Sequence, residues 1–263
     1  VYFLNKESER LKKIFNQDFS DINLINSEKI FSEMELLISL GGDGTLIGVA
    51  RKGNSKTAPI FGVNMGNLGF ITEFSKMDFY DELTKVLSGR MALNEIDIYK
   101  LEIKQKNKTI FVSSFINDIV VNKNDISRLF NIRLEANNEH IFDLSGDGIV
   151  VSTPLGSTAY SLAAGGPIIH PGVSSFVITP ICPHALTHRP IVLPGDFSLS
   201  ARITGKEESV LVTIDGQEAI PLCQNHLVII SKTENNSIKL IKNINRTYFH
   251  TLKVKFTHGE RNR

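Results

Sequence analysis

Cysteine, tryptophan and long apolar runs are scarce or absent in this chain of 263 residues. It has no tryptophan and two cysteines, Cys182 and Cys223, which stand singly and far apart. That spacing excludes a disulfide framework and a zinc ribbon, and it predicts two reduced thiols in a cytoplasmic protein. Apolar runs such as Ile149-Val150-Val151 are too short for a membrane span, and the start of the chain has no signal-peptide pattern. Because the chain begins with Val1 rather than Met, we expect a clipped start.

An excess of one charge is also missing. Lys and Arg number 29 and Asp and Glu number 28, so the formal net charge is +1. A balanced chain offers no global basic field for nucleic acid or for an acidic membrane, and we expect neither as a partner. Hydrophobic residues make up 41% and charged residues 22%, which favours a packed core over disorder.

The pattern of apolar and polar residues changes near residue 95. Up to that point, helical spacing at 7–15 and 81–87 alternates with apolar strand-like runs at 36–40 and 58–63. Alternation of this kind is typical of parallel βαβ units, and the run at 36–40 predicts a buried parallel strand. We therefore assign residues 1–95 to an α/β domain.

From residue 96 apolar and polar residues alternate with a period close to two. Runs at 96–103, 198–203 and 210–214 predict antiparallel strands, separated by turn residues. Residues 96–235 are therefore expected to form a β-rich, sandwich-like domain. We expect the tail, 236–263, to pack back on the N-terminal domain.

A glycine-rich turn around one acid is the most informative local motif. Gly41-Gly42-Asp43-Gly44-Thr45 lies between the run at 36–40 and a probable helix start. Glycines at a strand-to-helix turn let the backbone approach a phosphate closely, and this turn is expected at the ligand-binding edge of the sheet. It is neither a Walker A loop nor the G-x-G-x-x-G fingerprint. The motif predicts phosphate chemistry built around Asp43.

A second polar segment extends from Asp147 to Pro167. It predicts a helix over 157–164 and carries five hydroxyls that suit ribose, phosphate or amide groups, at Ser152, Thr153, Ser157, Thr158 and Ser161. Each hydroxyl alone is as well explained by an ordinary capped helix start, but the whole run favours a binding site.

Two shorter motifs are ambiguous when taken alone. Asn117-Asp118 suits a ribose diol or a carboxamide, yet taken alone an ordinary strand-edge pair explains it better. Asp215-Gly216-Gln217 follows a predicted strand and is best explained locally as a plain hairpin turn.

In combination, these motifs resemble those of the NAD kinases. The resemblance covers residues from about 36 to 220 and rests on the glycine–acid turn and on matching segments at 64–70, 117–118, 147–161, 164–167, 179–190 and 215–217. The glycine–acid turn alone also occurs in lipid kinases and phosphofructokinases, whereas the segment at 147–161 is specific to NAD kinases.

The resemblance implies a fold and an activity. The fold would be an α/β N-terminal Rossmann-like domain plus a C-terminal antiparallel β-sandwich-like domain. The activity would be transfer of the γ-phosphoryl group of ATP to the 2′-hydroxyl of the adenosine ribose of NAD, which makes NADP. A divalent cation, with Mg²⁺ as the expected ion, and a homodimer or homotetramer are implied too.

The resemblance also implies roles for individual residues. Asp43 would be the proton acceptor, Phe70 would line the adenine pocket, and Asn117 and Asp118 would hold the adenosine ribose. Phosphate contacts would come from Gly41, Gly42, Gly44 and Thr45. The full set expected to contact NAD is Asp43, Gly44, Phe70, Asn117, Asp118, Arg128, Ser145, Asp147, Thr158, Ala159, Tyr160, Ser161, Leu162, Ala163 and Gln217; Arg128 and Ser145 are placed by spacing alone, and no metal ligand is assigned.

Two departures from the family pattern concern these positions. The family usually has Asn-Glu where this chain has Asn117-Asp118, and Thr where it has Leu155. The shorter carboxylate reaches one methylene less far, and the second change removes a hydroxyl. The competing hypotheses are a lipid or sugar kinase that shares the glycine–acid turn, and a non-catalytic NAD sensor; the segment at 147–161 and the presence of Asp43 disfavour them.

Overall fold

The chain folds into two compact units. The computed structural model describes residues 1–15, 23–26, 29–67, 69–124, 130–204 and 210–257. The first unit contains Val1–Val49, Gly53–Ile96 and Ser237–Arg263, and the second contains Ala50–Lys52 and Asp97–Asn236.

The first unit is mostly α/β and the second mostly β. The helices are α1 Ser8–Phe15, α2 Ile30–Glu33, α3 Asp43–Ala50, α4 Phe79–Leu87, α5 Tyr160–Ala163 and α6 Tyr248–Thr257. The strands are β1 Tyr2–Leu4, β2 Asn23–Ile25, β3 Leu37–Gly41, β4 Ile60–Asn64, β5 Phe74–Ser75, β6 Ala92–Gln105, β7 Lys108–Phe115, β8 Asp118–Lys123, β9 Phe130–Ala136, β10 Glu139–Gly146, β11 Gly148–Ser152, β12 Ser175–Ile181, β13 Ile191–Pro194, β14 Leu199–Ile203, β15 Val210–Ile214, β16 Glu218–Leu222 and β17 His226–Lys242.

Parallel strands form the centre of the first unit. β3 and β5 both pair in parallel with β4, and the end of β17 joins β4 through Leu240 opposite Ile60. α3 makes the crossover from β3 to β4, because parallel neighbours cannot be joined by a tight turn. The Phe61 and Phe74 rings meet edge to face, 4.6 Å apart, in the core beside them. The predicted α/β character of the N-terminal domain is confirmed.

β3 is a parallel strand as predicted, but only one of its faces is buried. Leu37 and Ser39 are buried, whereas Ile38 is 43% exposed and Leu40 is 55% exposed. β3 ends the strand order of its sheet, and only one of its faces packs on other described residues. A mostly apolar run such as 36–40 therefore does not require burial on both sides.

Antiparallel strands form the second unit, as predicted. One sheet has the order β13-β12-β11-β8-β15-β16, and β10, β9, β14 and the start of β17 form another row. Alternate side chains from both sets meet in one core that includes Ile119, Val151, Phe176, Val212 and Ile230. Two faces that pack through alternate residues are the defining feature of a β-sandwich.

The helix predicted over 157–164 is interrupted. A 3-10 turn covers Leu155–Thr158 and α5 covers Tyr160–Ala163. Between them Ala159 has φ −98° and ψ −125°, which is not helical, so the chain changes direction there. Among the described helices, none is long and apolar enough to cross a membrane.

Candidate active site

The glycine–acid turn joins β3 directly to α3. β3 ends at Gly41 and α3 begins at Asp43, and the Gly42 carbonyl accepts the N–H groups of Thr45 and Leu46 at 3.1 and 3.2 Å. A Cβ on Gly41 would lie 2.4 Å from Thr45 Oγ1, so only glycine fits there. The predicted phosphate contacts are therefore neighbours at one helix start, and all except Gly41 are exposed.

The Asp43 carboxylate is turned towards the segment 70–72 of its own unit. Phe70 N–H donates to Oδ2 at 2.7 Å, while the N–H groups of Ile71 and Thr72 donate to Oδ1 at 3.2 and 2.9 Å. Thr72 Oγ1 adds a fourth hydrogen bond at 2.8 Å. A carboxylate has about four acceptor sites, so these contacts fill its capacity. Asp43 thus anchors the segment that carries Phe70.

Close approach in this cluster depends on Gly69. A Cβ on Gly69 would lie 1.9 Å from Asp43 Oδ1 and 2.3 Å from Thr72 Oγ1. Phe70 itself is partly exposed, and Lys255 Nζ of α6 lies 5.7 Å from the centre of its ring. That distance is within the range of a cation–π contact.

In the second unit Asn117 lies between β7 and β8 and Asp118 begins β8; the two residues are 8% and 4% exposed. Asp215 holds their backbone: its carboxylate accepts N–H groups from Ile116 at 3.2 Å, Asn117 at 2.8 Å and Asp118 at 3.1 Å. Asn117 Nδ2 also donates to Asp118 Oδ2 at 3.3 Å. The two residues therefore have a fixed backbone.

Burial perturbs the two carboxyl groups. Desolvation, followed by the negative charge of Asp215, raises the pKa of Asp118 to about 7. Desolvation also raises the pKa of Asp215, while its three main-chain hydrogen bonds and the charge of Arg51 act in the opposite direction. Because those hydrogen bonds favour the anion, Asp215 carries the charge and Asp118 is the group that takes up a proton near neutral pH.

A cavity of about 330 Å³ opens beside this pair within the second unit. Four of its lining residues were predicted to contact NAD: Asn117, Asp118, Ala159 and Tyr160. The other lining residues were not among the predicted contacts: Val120, Asn122, Thr213, Asp215 and Gly216. The cavity thus combines carboxylates, amides and one half-exposed aromatic ring in a small volume.

Asp215 was missed because its local signal is that of a turn. The hairpin prediction is confirmed: Asp215 and Gly216 have φ +50° and +64°, and Gln217 N–H donates to Ile214 O at 2.9 Å. These dihedrals are those of a type I′ turn. One sequence signal could have identified Asp215. Asn or Gly would fit this turn position equally well, so the presence of an acid there indicates a role beyond the turn.

The hydroxyls of the segment from Ser152 to Ser161 have partners within the protein. Thr153 Oγ1 donates to Ile116 O at 2.7 Å, Ser157 Oγ donates to Pro154 O at 2.6 Å, and Ser161 Oγ pairs with Thr179 Oγ1 at 2.8 Å. Buried Ser152 donates to Thr153 O at 2.8 Å. These hydroxyls satisfy the protein's own backbone and side chains, and contact of this run with NAD stays a prediction.

Packing explains the glycine in the middle of that run. A Cβ on Gly156 would lie 2.1 Å from the Asn117 carbonyl oxygen, so the 3-10 turn lies directly against the Asn117 backbone. Ala159 and Tyr160, which follow, are exposed and line the cavity. Thr158 and Leu162 are partly buried, and Ala163 is exposed.

The remaining predicted contacts are spread over the second unit. Asp147 is paired with Lys123, Nζ to Oδ1 at 2.7 Å, and Ser145 Oγ donates to Asn131 Oδ1. Gln217 is exposed at the hairpin turn. Arg128 lies outside the described residues.

The described residues do not form a protein-built metal site. Within the described ranges, no group of three His, Cys, Asp or Glu side chains is close enough to hold an ion. The Asp43 carboxylate, the predicted centre of phosphate chemistry, has its oxygens engaged by the segment 70–72. We therefore assign no described side chain as a metal ligand.

Comparison with known proteins agrees with this architecture. A family model for the ATP-NAD kinase N-terminal domain matches residues 4–91, and one for the ATP-NAD kinase C-terminal domain matches residues 116–243. The NAD kinase of Magnetococcus marinus is 40% identical over 89% of this chain and 77% of its own. The NAD kinase of Geotalea daltonii is 37% identical over 89% and 82%, respectively.

Solved structures share the fold. A yeast NADH kinase complexed with NADH superposes with a TM-score of 0.84 at 24% identity, covering 99% of this chain and 78% of the yeast chain. An NAD kinase from Archaeoglobus fulgidus in complex with ATP gives a TM-score of 0.73 at 22% identity, covering 95% and 94%. With both domain models matched in order and relatives similar over most of their length, the chain belongs to the NAD kinase family of enzymes.

Proposed function

We propose that this member of the family transfers the γ-phosphoryl group of ATP to the 2′-hydroxyl of the adenosine ribose of NAD. The observation that carries the proposal is the buried Asn117–Asp118 pair at the wall of the cavity. A carboxylate accepts hydrogen bonds from ribose hydroxyls and an amide both donates and accepts, so the pair suits a vicinal diol. Asp215 supports the proposal because it fixes the pair's backbone before any ligand arrives.

Phosphoryl transfer depends mainly on positioning and charge neutralisation. In the proposed step the ribose O–H bond breaks, an O–Pγ bond forms, the bond from Pγ to the bridging oxygen breaks, and ADP leaves. The turn Gly42–Thr45, in which Gly42, Gly44 and Thr45 are exposed, would let phosphate oxygens approach the main chain closely. A divalent cation would bind chiefly through the phosphates, as Mg²⁺ often does, and would neutralise their charge.

The proton of the 2′-hydroxyl needs an acceptor, and Asp43 is the first candidate. A positioned carboxylate typically contributes about a hundredfold or more to such a step. For Asp43 this role requires that at least one of its four hydrogen bonds to the segment 70–72 is lost as the proton arrives. Thr72 Oγ1 is the contact easiest to give up, because a hydroxyl can rotate.

Asp118 is the second candidate, favoured by a specific observation. It lines the cavity and accepts one side-chain hydrogen bond, from Asn117, whereas Asp43 accepts four hydrogen bonds. Its pKa of about 7 is matched to proton transfer at neutral pH. The two candidates predict different consequences for removal of each carboxylate.

A coupled assay of NADP formation with ATP, Mg²⁺ and NAD tests the reaction and the acceptor together. If Asp43 is the acceptor, Asp43→Asn lowers kcat at least about a hundredfold, and it also raises the KM for NAD because an amide nitrogen cannot accept the N–H groups that hold the segment carrying Phe70. If Asp118 is the acceptor, Asp118→Asn lowers kcat to a similar extent, weakens NAD binding, and also removes the acidic limb of the rate profile near pH 7. Diacylglycerol and a hexose phosphate serve as competing acceptors, and phosphorylation of either in place of NAD would contradict the proposal.

A non-catalytic sensor would bind NAD without forming NADP, so calorimetric NAD binding alongside the assay separates these alternatives. The homodimer or homotetramer and the cytoplasmic location also stay predictions, and sedimentation of the purified chain tests the assembly.

A further inference from the structure

Arg51 makes contacts that the reaction scheme does not yet use. It follows α3 directly and belongs to the short stretch Ala50–Lys52 that clusters with the second unit. Its side chain is 10% exposed. One guanidinium nitrogen donates to Glu218 Oε2 at 2.5 Å and the other donates to the Ile214 carbonyl at 3.4 Å.

These two partners stand on either side of the hairpin turn. β15 ends at Ile214 and β16 begins at Glu218, and the two residues are direct cross-strand partners. A planar guanidinium has its donors in a fixed fork, so it holds both ends of the turn at a set separation. The turn itself carries Asp215 in the left-handed region, at φ +50°. A non-glycine residue there is held by its surroundings.

Asp215 links the turn to the backbone of residues that line the cavity. Its carboxylate accepts the N–H groups of three successive residues, Ile116 to Asp118. A shift of the turn therefore moves the acceptor shared by the residues that face the cavity. The positive charge of Arg51 also favours the ionised form of Asp215, which those three donors require.

An ordinary stabilising ion pair is the simpler interpretation of the Arg51–Glu218 contact. Isolated pairs at the surface contribute little, and Arg133 with Asp143 provides such a pair in the same unit, with side chains 47% and 52% exposed. Arg51 differs because it is nearly buried and contacts both ends of one functional turn.

We infer that Arg51 is a positioning residue for the nucleotide-binding cavity, acting through Glu218, Ile214 O and Asp215 on the backbone of Asn117 and Asp118. This inference rests on the proposed function, in which the cavity holds the ribose of NAD. It predicts that a change at Arg51 affects NAD affinity more strongly than it affects the rate of the chemical step.

Three variants test the inference: Arg51→Ala, Arg51→Lys and Glu218→Gln. Loss of a charge-assisted contact to the turn should raise the KM and the calorimetric Kd for NAD about tenfold in Arg51→Ala and Glu218→Gln, with kcat within about threefold. Arg51→Lys keeps the charge but not the fork, so it should lie between wild type and Arg51→Ala. Arg133→Ala is the matched control and should leave both constants unchanged.

Thermal melting of each variant separates positioning from simple stabilisation. The inference is overturned if NAD affinity stays within twofold of wild type in Glu218→Gln and Arg51→Ala, or if Arg133→Ala weakens it equally. If Arg51→Ala does not fold, Glu218→Gln and Arg51→Lys still decide the matter. A wild-type protein that binds NAD but makes no NADP counts against the proposed reaction, whereas the Kd comparison still tests this inference.

Discussion

Asp118 should make the folded protein less stable as the pH rises, and Asp118→Asn should remove that loss. The carboxyl is 4% exposed and lies beside the charge of Asp215, and together these raise its pKa from 3.8 to about 7. The folded-state pKa lies above the unfolded one, so the folded protein holds this proton more tightly. Its contribution to stability is complete below about pH 4 and is lost as the pH rises through about 7.

The size of the effect follows from the two pKa values. A difference of about 3 units at about 1.4 kcal/mol each corresponds to at most about 4 kcal/mol between acidic and alkaline conditions. Asparagine has the same shape and no charge. The free energy of unfolding of Asp118→Asn should therefore exceed that of wild type by up to about 4 kcal/mol at pH 8, and by about 1 kcal/mol or less at pH 4.

Thermal melting between pH 4 and pH 8.5 measures the difference. For a chain of this size, about 4 kcal/mol corresponds to a Tm increase of about 10 °C at the alkaline end. NAD affinity should fall in the same variant, because the ribose loses its carboxylate acceptor. Asp143→Asn is the control of opposite sign, since Arg133 lowers the pKa of that exposed carboxyl to about 2. Equal Tm differences at pH 4 and pH 8, or none at either, would refute the reasoning.

Three further changes should have distinct outcomes. Gly69→Ala should abolish turnover and lower the Tm, because its Cβ would lie 1.9 Å from Asp43 Oδ1. Gly66→Ala is the control and should do neither, because its Cβ would lie 3.9 Å from its nearest neighbour. Similar Tm values for the two variants would contradict this prediction. Asp215→Asn should lower the Tm by several degrees and weaken NAD binding, since an amide has a single acceptor oxygen for three N–H donors, and calorimetry checks it. Chelation with EDTA should stop NADP formation while leaving the Tm unchanged, as no described cluster of side chains holds an ion, and a large fall in Tm would reveal a structural metal.

The local elements could be predicted because their causes are local. The run before Gly41 is apolar and rich in β-forming residues, glycines follow it, and the helix begins at the acid, as expected of a β-turn-α motif. The hairpin at Asp215-Gly216 could also be predicted from the sequence, since both residues tolerate positive φ. The fold class could be predicted from the hydrophobic pattern, which changes near residue 96. Strands that alternate with helices indicate a parallel sheet, whereas successive runs of period two indicate antiparallel strands.

Side-chain partners could not be predicted, because they are set by contacts distant in sequence. Ser161 bonds to Thr179 and Thr153 to the Ile116 carbonyl, so hydroxyls that suggested a ligand prove to satisfy buried groups. The exposure of Ile38 was equally unpredictable, since it depends on what else covers that face of β3.

The sequence by itself determined the two-domain fold class, the glycine–acid turn at the start of α3 and the family. Only the tertiary structure decided what each acid does. Asp43 receives its hydrogen bonds from residues 27 to 29 positions away, and Asp215 receives its own from residues almost a hundred positions away. The pKa of Asp118 depends on burial and on a charge that no local pattern contains. Hydrogen bonding and desolvation act through space, and the fold alone brings these groups together.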